Sequence, residues 1–285
     1  MLVWRKISTE KWADSWQERL LFLGWERLVI THLGGGSRIR LEIFEVTQRE
    51  ASLLLQRFGG EIRDLERSTA DWVRTVVQKR PISIRGRLQI LNREPGDDRP
   101  IPRRHLYLPA GLAFGTGDHA TTAGCLRLLC DIAPKSGEWQ MLDAGTGAGI
   151  LAIAAAKLGA SHVDAFDLDP TAVRTAKQNA KLNELGTRIH IWKQDVLSFV
   201  PKLSYEIVIA NLYSELLRQS AMRLSRALVP KGHLIVSGLM RDQIEPIRNL
   251  LEANGTPILL VRARGKWVTL LAQKTTTPLQ IADSR

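Results

Sequence analysis

The sequence predicts an α/β fold: a mostly parallel sheet covered by helices on both faces, preceded by a small α+β module. Three observations carry that expectation. From Gly115 to Gln273, short apolar runs alternate with amphipathic stretches of helical period, the pattern of a parallel sheet with crossover helices. Within this region, residues 139–170 hold an apolar run, a glycine turn, an apolar helix stopped at Gly159 and a second apolar run ending on Asp167, which together make a β-α-β unit. Before it, the first 66 residues read in the order β-α-β-β-α-β, that of a ferredoxin-like module.

The elements of the first module follow from patterning. Leu2–Ile7 predicts a strand. Thr9–Leu23 predicts a helix, and the four-residue spacing of Trp12, Trp16 and Leu20 puts all three on its core face. Trp25–Ile30 and Arg38–Val46 predict strands around a Gly34-Gly35-Gly36 turn, with Ile39, Leu41 and Ile43 alternating along the second. Thr47 and Glu50 form a capping box ahead of Leu54, Leu55 and Phe58; Gly59-Gly60 stops that helix, and Glu61–Leu65 predicts a last strand. Residues 67–87 predict a charged helical connector with Trp72, Val73, Val76 and Val77 on its apolar face. Leu88–Leu91 and His105–Leu108 predict paired strands around an exposed proline- and charge-rich loop, Arg93–Arg104.

The larger domain, 88–275, carries seven strands at 140–143, 163–166, 189–192, 206–210, 233–237, 257–262 and 267–272. Helices are predicted at 119–131, 149–158, 170–184, 213–228 and 241–253. Asp169-Pro170 is a helix start, with Ala172, Val173, Ala176 and Ala180 facing the sheet. Only Ala263–Lys266 separate the last two strands, so they form a hairpin. The tail, 276–285, is polar and expected to be flexible.

Composition narrows the function classes. With 285 residues and 44% hydrophobic content the chain can fill a substantial core. It has no eighteen-residue apolar run and no long apolar region near Met1, so a soluble cytoplasmic protein is expected, with no membrane association. Cys125 and Cys130 are spaced neither as a metal knuckle nor as a redox pair, which fits a reducing compartment. A net charge of +11 suits an RNA, ribosomal or acidic-protein partner, and equally a solubilising surface. No motif of interleaved basic and aromatic residues argues for direct nucleic-acid binding. There is no metal-ligand cluster, no Ser-His-Asp order and no P-loop, so no metal is expected.

The chemistry is concentrated at strand ends. Gly145, Gly147 and Gly149 let the chain turn tightly and a ligand approach the backbone. Their spacing is G-x-G-x-G, preceded by Asp143, not the G-x-G-x-x-G of dinucleotide sites. An acid just before the glycines suits a cationic ligand with an amino-acid ammonium group better than a pyrophosphate. Asp167, at the tip of the next strand, is placed to accept both hydroxyls of a ribose. S-adenosylmethionine combines adenosine, a sulfonium and a methionine tail, and is the cofactor expected. The third strand ends near Asp195, which suits either the adenine amine or a helix N-cap before Val196. The fourth ends at Asn211, whose carbonyl suits an incoming amine; a plain turn residue is the alternative. The glycine-rich segment Pro109–Thr122 suits a lid, with Thr121 and Thr122 at a helix start and His119 better suited to a cap than to a base.

Ala-Phe-Gly-Thr-Gly-Asp-His-Ala-Thr-Thr at 113–122 resembles the signature of the bacterial ribosomal-protein methyltransferases of the PrmA type. Asp143 to Ala155, the Asp167-Leu168-Asp169-Pro170 step, Asn211 and the approach segment from Asp71-Trp72 to Gly86-Arg87 fit the same family in the same order. The resemblance covers roughly residues 70–275 and is specific; residues 1–66 agree in architecture alone. It implies a Rossmann-like, seven-stranded class I methyltransferase sheet behind a ferredoxin-like substrate domain at 1–66. It further implies methyl transfer from S-adenosylmethionine to amines of a large-subunit ribosomal protein, the one numbered eleven; a monomer is expected. Position by position, it assigns cofactor contacts to Thr122, Gly145, Asp167 and Asn211, with Asn211 also at the acceptor.

Two departures stand out. Thr146 replaces the family's usual cysteine, and Asn211-Leu212-Tyr213-Ser214 replaces Asn-Ile-Leu-Ala at the border of the acceptor pocket. The Asn-Pro-Pro-Tyr form of many base and glutamine N-methyltransferases is absent.

Overall fold

A computed structural model of the chain describes residues 2–12, 16, 19–20, 28–33, 37–64, 82–91, 101–102, 104–108 and 120–276. The chain divides into two compact units, Met1–Gln78 and Lys79–Arg285.

The first unit holds β1 (Leu2–Thr9), β2 (Leu28–His32), β3 (Arg38–Ile43), α1 (Gln48–Phe58) and β4 (Glu61–Asp64). Its sheet runs β2-β3-β1-β4 with every pairing antiparallel, the ferredoxin-like order. Ile39, Leu41 and Ile43 are buried together with Trp4, Trp16, Leu20, Ala51 and Leu54. The capping box forms as its sequence requires: Glu50 N donates to Thr47 Oγ1 at 3.2 Å and Thr47 N to Glu50 Oε2 at 2.7 Å. Gly59 and Gly60 then take φ of 67° and 94°, conformations open to glycine.

The expected helix over Thr9–Leu23 is corrected at its start. β1 runs on to Thr9 and is followed by a 3₁₀ turn, Glu10–Trp12. That turn rotates Trp12 outward, leaving it 48% exposed, whereas Trp16 and Leu20 are buried as expected. The indole of Trp16 donates to Ser8 Oγ at 2.8 Å, tying the segment to β1. The Gly34–Gly36 turn and most of the connector, 65–81, lie outside the described residues.

In the second unit β5 (Ile82–Ile84) occupies the end of the segment expected to be helical. It pairs antiparallel with β6 (Leu88–Leu91), which pairs in parallel with β7 (His105–Tyr107), the two strands foreseen from sequence. Arg87 fixes this small sheet by donating to Cys130 O at 2.5 Å and Ala133 O at 2.9 Å, capping the carbonyl end of α2 (Ala120–Ile132).

The main sheet then builds from β8 (Gln140–Ala144), α3 (Ile150–Leu158), β9 (His162–Asp167), α4 (Pro170–Leu182), β10 (Ile189–Lys193), β11 (Tyr205–Asn211), α5 (Ser214–Arg226), β12 (Leu228–Met240), α6 (Ile244–Ala253), β13 (Ile258–Arg264) and β14 (Trp267–Gln273). Its order is β10-β9-β8-β11-β12-β14-β13. Neighbours from β10 to β12 run parallel, and β14 runs antiparallel to both β12 and β13. Strand order reverses direction beside β8, which is the topological switch point of an open α/β sheet. β12 is longer than its apolar run because it starts at Leu228, before Pro230-Lys231. The two faces of the sheet are covered by separate apolar layers, one around Leu126, Ile153 and Ile209, the other around Phe166, Val208 and Leu224. No helix among the described residues is long and apolar enough to cross a membrane.

Candidate functional site

The carboxyl ends of β8, β9, β10 and β11 bring most of the expected site residues to one edge. β8 passes into the turn at Gly145, and Gly145, Gly147 and Gly149 all hold positive φ, at 79°, 53° and 85°. Glycine adopts such values without strain, and a Cβ on Gly149 would also sit 3.1 Å from Ala176 Cβ. On Gly145 it would meet the Leu212 side chain. The turn therefore lies close against both α4 and the end of β11. Gly145 N and Thr146 N both donate to Phe166 O at 2.9 Å, which stitches the turn to β9.

The two carboxylates hold this turn from either side. Asp143 is fully buried; its Oδ2 accepts from Thr146 Oγ1 at 2.7 Å and from Ala152 N at 3.1 Å. Its Oδ1 is buried with no donor. Burial is the main reason the carboxyl is pushed up to about 7; Asp167 adds to the rise, and the bonds from Thr146 and Ala152 oppose it. Asp167 is half-buried, its Oδ2 accepting from Gly147 N at 2.9 Å and its Oδ1 from Asp169 N at 3.0 Å. Each oxygen of Asp167 has a further lone pair for a ligand hydroxyl.

Asp195 follows β10. Its Oδ1 accepts from Leu197 N at 2.9 Å and its carbonyl from Ser198 N at 3.1 Å. Residues 196–198 form a turn and not a helix, so the N-cap alternative takes the form of a side-chain-closed turn. The neighbouring Gln194 N donates to Asp167 O at 3.0 Å, so the tips of β9 and β10 are joined. Asn211 closes β11, and its Nδ2 donates to Thr122 Oγ1 on α2 at 3.4 Å. Two residues that the family resemblance named separately thus meet across 89 positions of sequence. The lid segment with His119 lies outside the described residues, which resume at Ala120.

Supporting residues escaped the sequence reading. The hydroxyl of Thr146 is the group that binds Asp143, so the departure from cysteine supplies a stronger donor. Asn179 is buried on α4 and donates to Ala148 O at 2.8 Å, holding the glycine turn from behind. Asn183, one helical turn on, donates to Tyr107 O at 2.7 Å and accepts from Tyr107 N at 2.8 Å. A pair of asparagines at four-residue spacing on the apolar face of α4 was the available signal. Ser237 lies beside Asn211 on β12 and donates to Val268 O at 2.9 Å. Leu212 is clamped between glycines, since a Cβ on Gly238 would collide with the Leu212 carbonyl. Beyond it Tyr213 is 79% exposed at the start of α5. Both cysteines are buried with thiols held well above their ordinary range, mainly by desolvation, so neither is poised as a nucleophile.

Comparison with known proteins places the chain in a family. The family profile "Ribosomal protein L11 methyltransferase (PrmA)" matches residues 36–275. A "Ribosomal protein L11 methyltransferase" of Bordetella parapertussis is 35% identical over 86% of this chain and 80% of its own length. One from Listeria welshimeri is 37% identical over 59% of this chain and 53% of its own. The chain spans about half the length of the curated Listeria relatives it matches. The crystal structure of a ribosomal protein L11 methylase from Lactobacillus delbrueckii subsp. bulgaricus superposes with a TM-score of 0.59 at 30% identity, covering 69% of this chain and 100% of that one. The fold is the Rossmann-like, seven-stranded sheet of class I methyltransferases with an additional smaller sheet domain. The chain belongs to the ribosomal protein L11 methyltransferase (PrmA) family.

Proposed function

We propose that this protein is an S-adenosylmethionine-dependent N-methyltransferase whose substrate is ribosomal protein L11, modified at lysine side chains or at its N-terminal amine. The observation that carries the reading is the gathering of Asp143, Gly145, Asp167, Thr122 and Asn211 at one sheet edge in a member of this family. The edge fits the cofactor in its donor set. It presents a buried carboxylate oxygen without a donor, a half-buried carboxylate with spare lone pairs, and a turn without side chains. Bound S-adenosylmethionine supplies a methyl carbon already activated by its sulfonium, which becomes a neutral thioether as the amine nitrogen forms its bond to carbon.

The work left to the protein is binding and positioning. Asp167 accepts the ribose hydroxyls, Asp195 takes the adenine amine with its second oxygen, and Asp143, when ionised, favours the cationic end. Gly147 and Gly149 keep the backbone near the ligand. Asn211 holds the acceptor amine with its carbonyl oxygen while its amide stays on Thr122; this fixes the line of attack, and such orientation can supply several kcal/mol of the rate gain. A lysine amine must lose a proton first, because its ordinary value lies near 10.4. Water suffices as the acceptor, and no strong base is required at the edge. We assign substrate choice to the ferredoxin-like unit, which has its own core and none of the edge residues. We place the protein in the cytoplasm as a monomer.

Tritiated S-adenosylmethionine incubated with the protein and purified ribosomal protein L11, followed by protease or ribonuclease digestion, tests the reading. Label released by protease supports it. In a parallel incubation with cell lysate, label released by ribonuclease rejects a protein acceptor. Bound cofactor with no label anywhere favours a non-catalytic cofactor-binding protein, the reading that Leu212-Tyr213-Ser214 and the outward Tyr213 would support.

A further inference from the structure

Basic residues from three separate segments converge on the second unit, away from the glycine turn. Arg85 follows β5, Arg127 lies on α2, and Arg262 and Arg264 lie on β13. With Trp267 and Thr269 of β14 they line a pocket of about 380 Å³, a size typical of a small-ligand site. Arg127, Arg262 and Arg264 are exposed, and none of the three forms an ion pair with an acid among the described residues. Arg85 is bound to Asp131, Nε to Oδ1 at 3.1 Å. No acid is among the described residues that line the pocket. Burial, and then the charges of Arg264 and Arg85, hold Arg127 below the ordinary guanidinium value. Guanidinium groups stay charged, so the repulsion persists until an anion offsets it.

The ligand class follows from number and shape. A carboxylate has two oxygens and one charge, enough for one guanidinium fork. Several arginines around one concavity match the multiple oxygens of a phosphate. Trp267 adds an aromatic wall, as in sites where a base stacks beside a bound backbone phosphate.

The pocket has a defined relation to the reacting edge. Thr269 pairs with Ser237, which pairs with Asn211, and Ser237 Oγ lies 2.9 Å from Thr269 Oγ1. Two strand spacings, about 10 Å, therefore separate the pocket's wall from the end of β11. The β13–β14 hairpin also turns at the carboxyl edge, because Trp267 pairs with Met240 beyond that rung. We infer that the arginine pocket is a second ligand site, one that binds the phosphate group of an RNA backbone or of a phosphorylated small molecule beside the methyl-transfer edge. This goes beyond the methyltransferase reading and does not depend on it.

Fluorescence anisotropy with a labelled oligouridylate, measured with S-adenosylmethionine at saturation, tests the inference; uridylate lacks adenosine and does not resemble the cofactor. Binding should weaken by about tenfold or more in Arg262→Ala/Arg264→Ala and in Arg127→Ala, with a shallower salt dependence in each. The exposed pair Lys177→Ala/Lys181→Ala on α4 removes the same charge elsewhere and should leave affinity within about twofold. Unchanged melting temperatures show that the variants fold. Pyrophosphate separates the two sources: displacement at concentrations well below those of the oligonucleotide phosphates identifies a small phosphorylated ligand, and weak displacement identifies RNA. The inference is overturned if oligouridylate does not bind, if the arginine variants bind like the native protein, or if the lysine pair loses as much. It is also overturned if polyglutamate displaces the probe as well as an equal length of oligouridylate, because the site would then be one for acidic peptide.

Discussion

Asp164 and Asp143 are both buried acids on adjacent strands of one sheet, yet their surroundings differ. Toward the amino end of β9, Asp164 is 6% exposed and saturated by side chains: Oδ1 accepts from His190 Nδ1 at 3.0 Å and His162 Nε2 at 3.1 Å, and Oδ2 from Tyr205 Oη at 2.5 Å. At the carboxyl end of β8, Asp143 is bound on one oxygen, and its other oxygen has no donor. Burial and the nearby Asp164 push the Tyr205 phenol far up, so it stays a donor. A closed network of this kind holds strands together. An incomplete one at a sheet edge is a place where a ligand completes the set, since an unmet buried acceptor costs about 1–3 kcal/mol.

Five substitutions would break or sharpen this contrast. The largest effect is expected at Gly238, whose φ of 91° and close approach to the Leu212 carbonyl leave no room for a side chain. Backbone strain and overpacking together should make Gly238→Ala cost about 3 kcal/mol or more in denaturant unfolding. Gly145→Ala should cost less, because its Cβ would meet only the movable end of Leu212.

Asp143→Asn comes next. The folded state keeps the Asp143 proton up to about pH 7, while an unfolded chain releases it near 3.8. Between those values the folded state binds more protons, so stability falls as pH rises through the window. The ionised group removes at most about 4 kcal/mol by the upper end. Unfolding curves at pH 5 and pH 8 should show at most about 3 kcal/mol of this loss in the native protein and a flatter dependence in Asp143→Asn. An equal slope in both would place the titrating group elsewhere.

Tyr205→Phe should cost about 1–3 kcal/mol of stability by stranding Asp164 Oδ2, and should leave cofactor affinity unchanged. Asp195→Ala should cost about 1 kcal/mol by opening the turn to Leu197, and should weaken cofactor binding modestly. A large loss of cofactor affinity in Tyr205→Phe would remove the distinction between the two ends of the sheet.

Much of the carboxyl edge was legible because its signals are local. Glycines at 145, 147 and 149, an acid before them and an acid at the next strand tip lie within one β-α-β unit, and the seven strands announce themselves as short apolar runs. What could not be read depends on long-range contact. The family resemblance puts Thr122 and Asn211 on one cofactor but not on each other, and nothing in sequence brings Arg85 and Arg127 to the β13–β14 hairpin. The state of Asp143 was hidden for the same reason: its spacing suggests a ligand group, but only the fold shows that one oxygen braces the turn while the other is unmet. Trp12 failed for a different reason. Four-residue spacing places a side chain only if the helix exists, and a 3₁₀ turn stands there instead.

Isothermal titration of S-adenosylmethionine into the native protein, Asp167→Ala and Tyr205→Phe tests the central claim most directly. The account predicts that the native protein and Tyr205→Phe bind within about twofold of each other. Asp167→Ala should bind more weakly by about 2–3 kcal/mol, or 30- to 150-fold, through loss of charge-assisted bonds to the ribose. Absence of binding heat with a folded native protein, or equal affinity in Asp167→Ala, would contradict it.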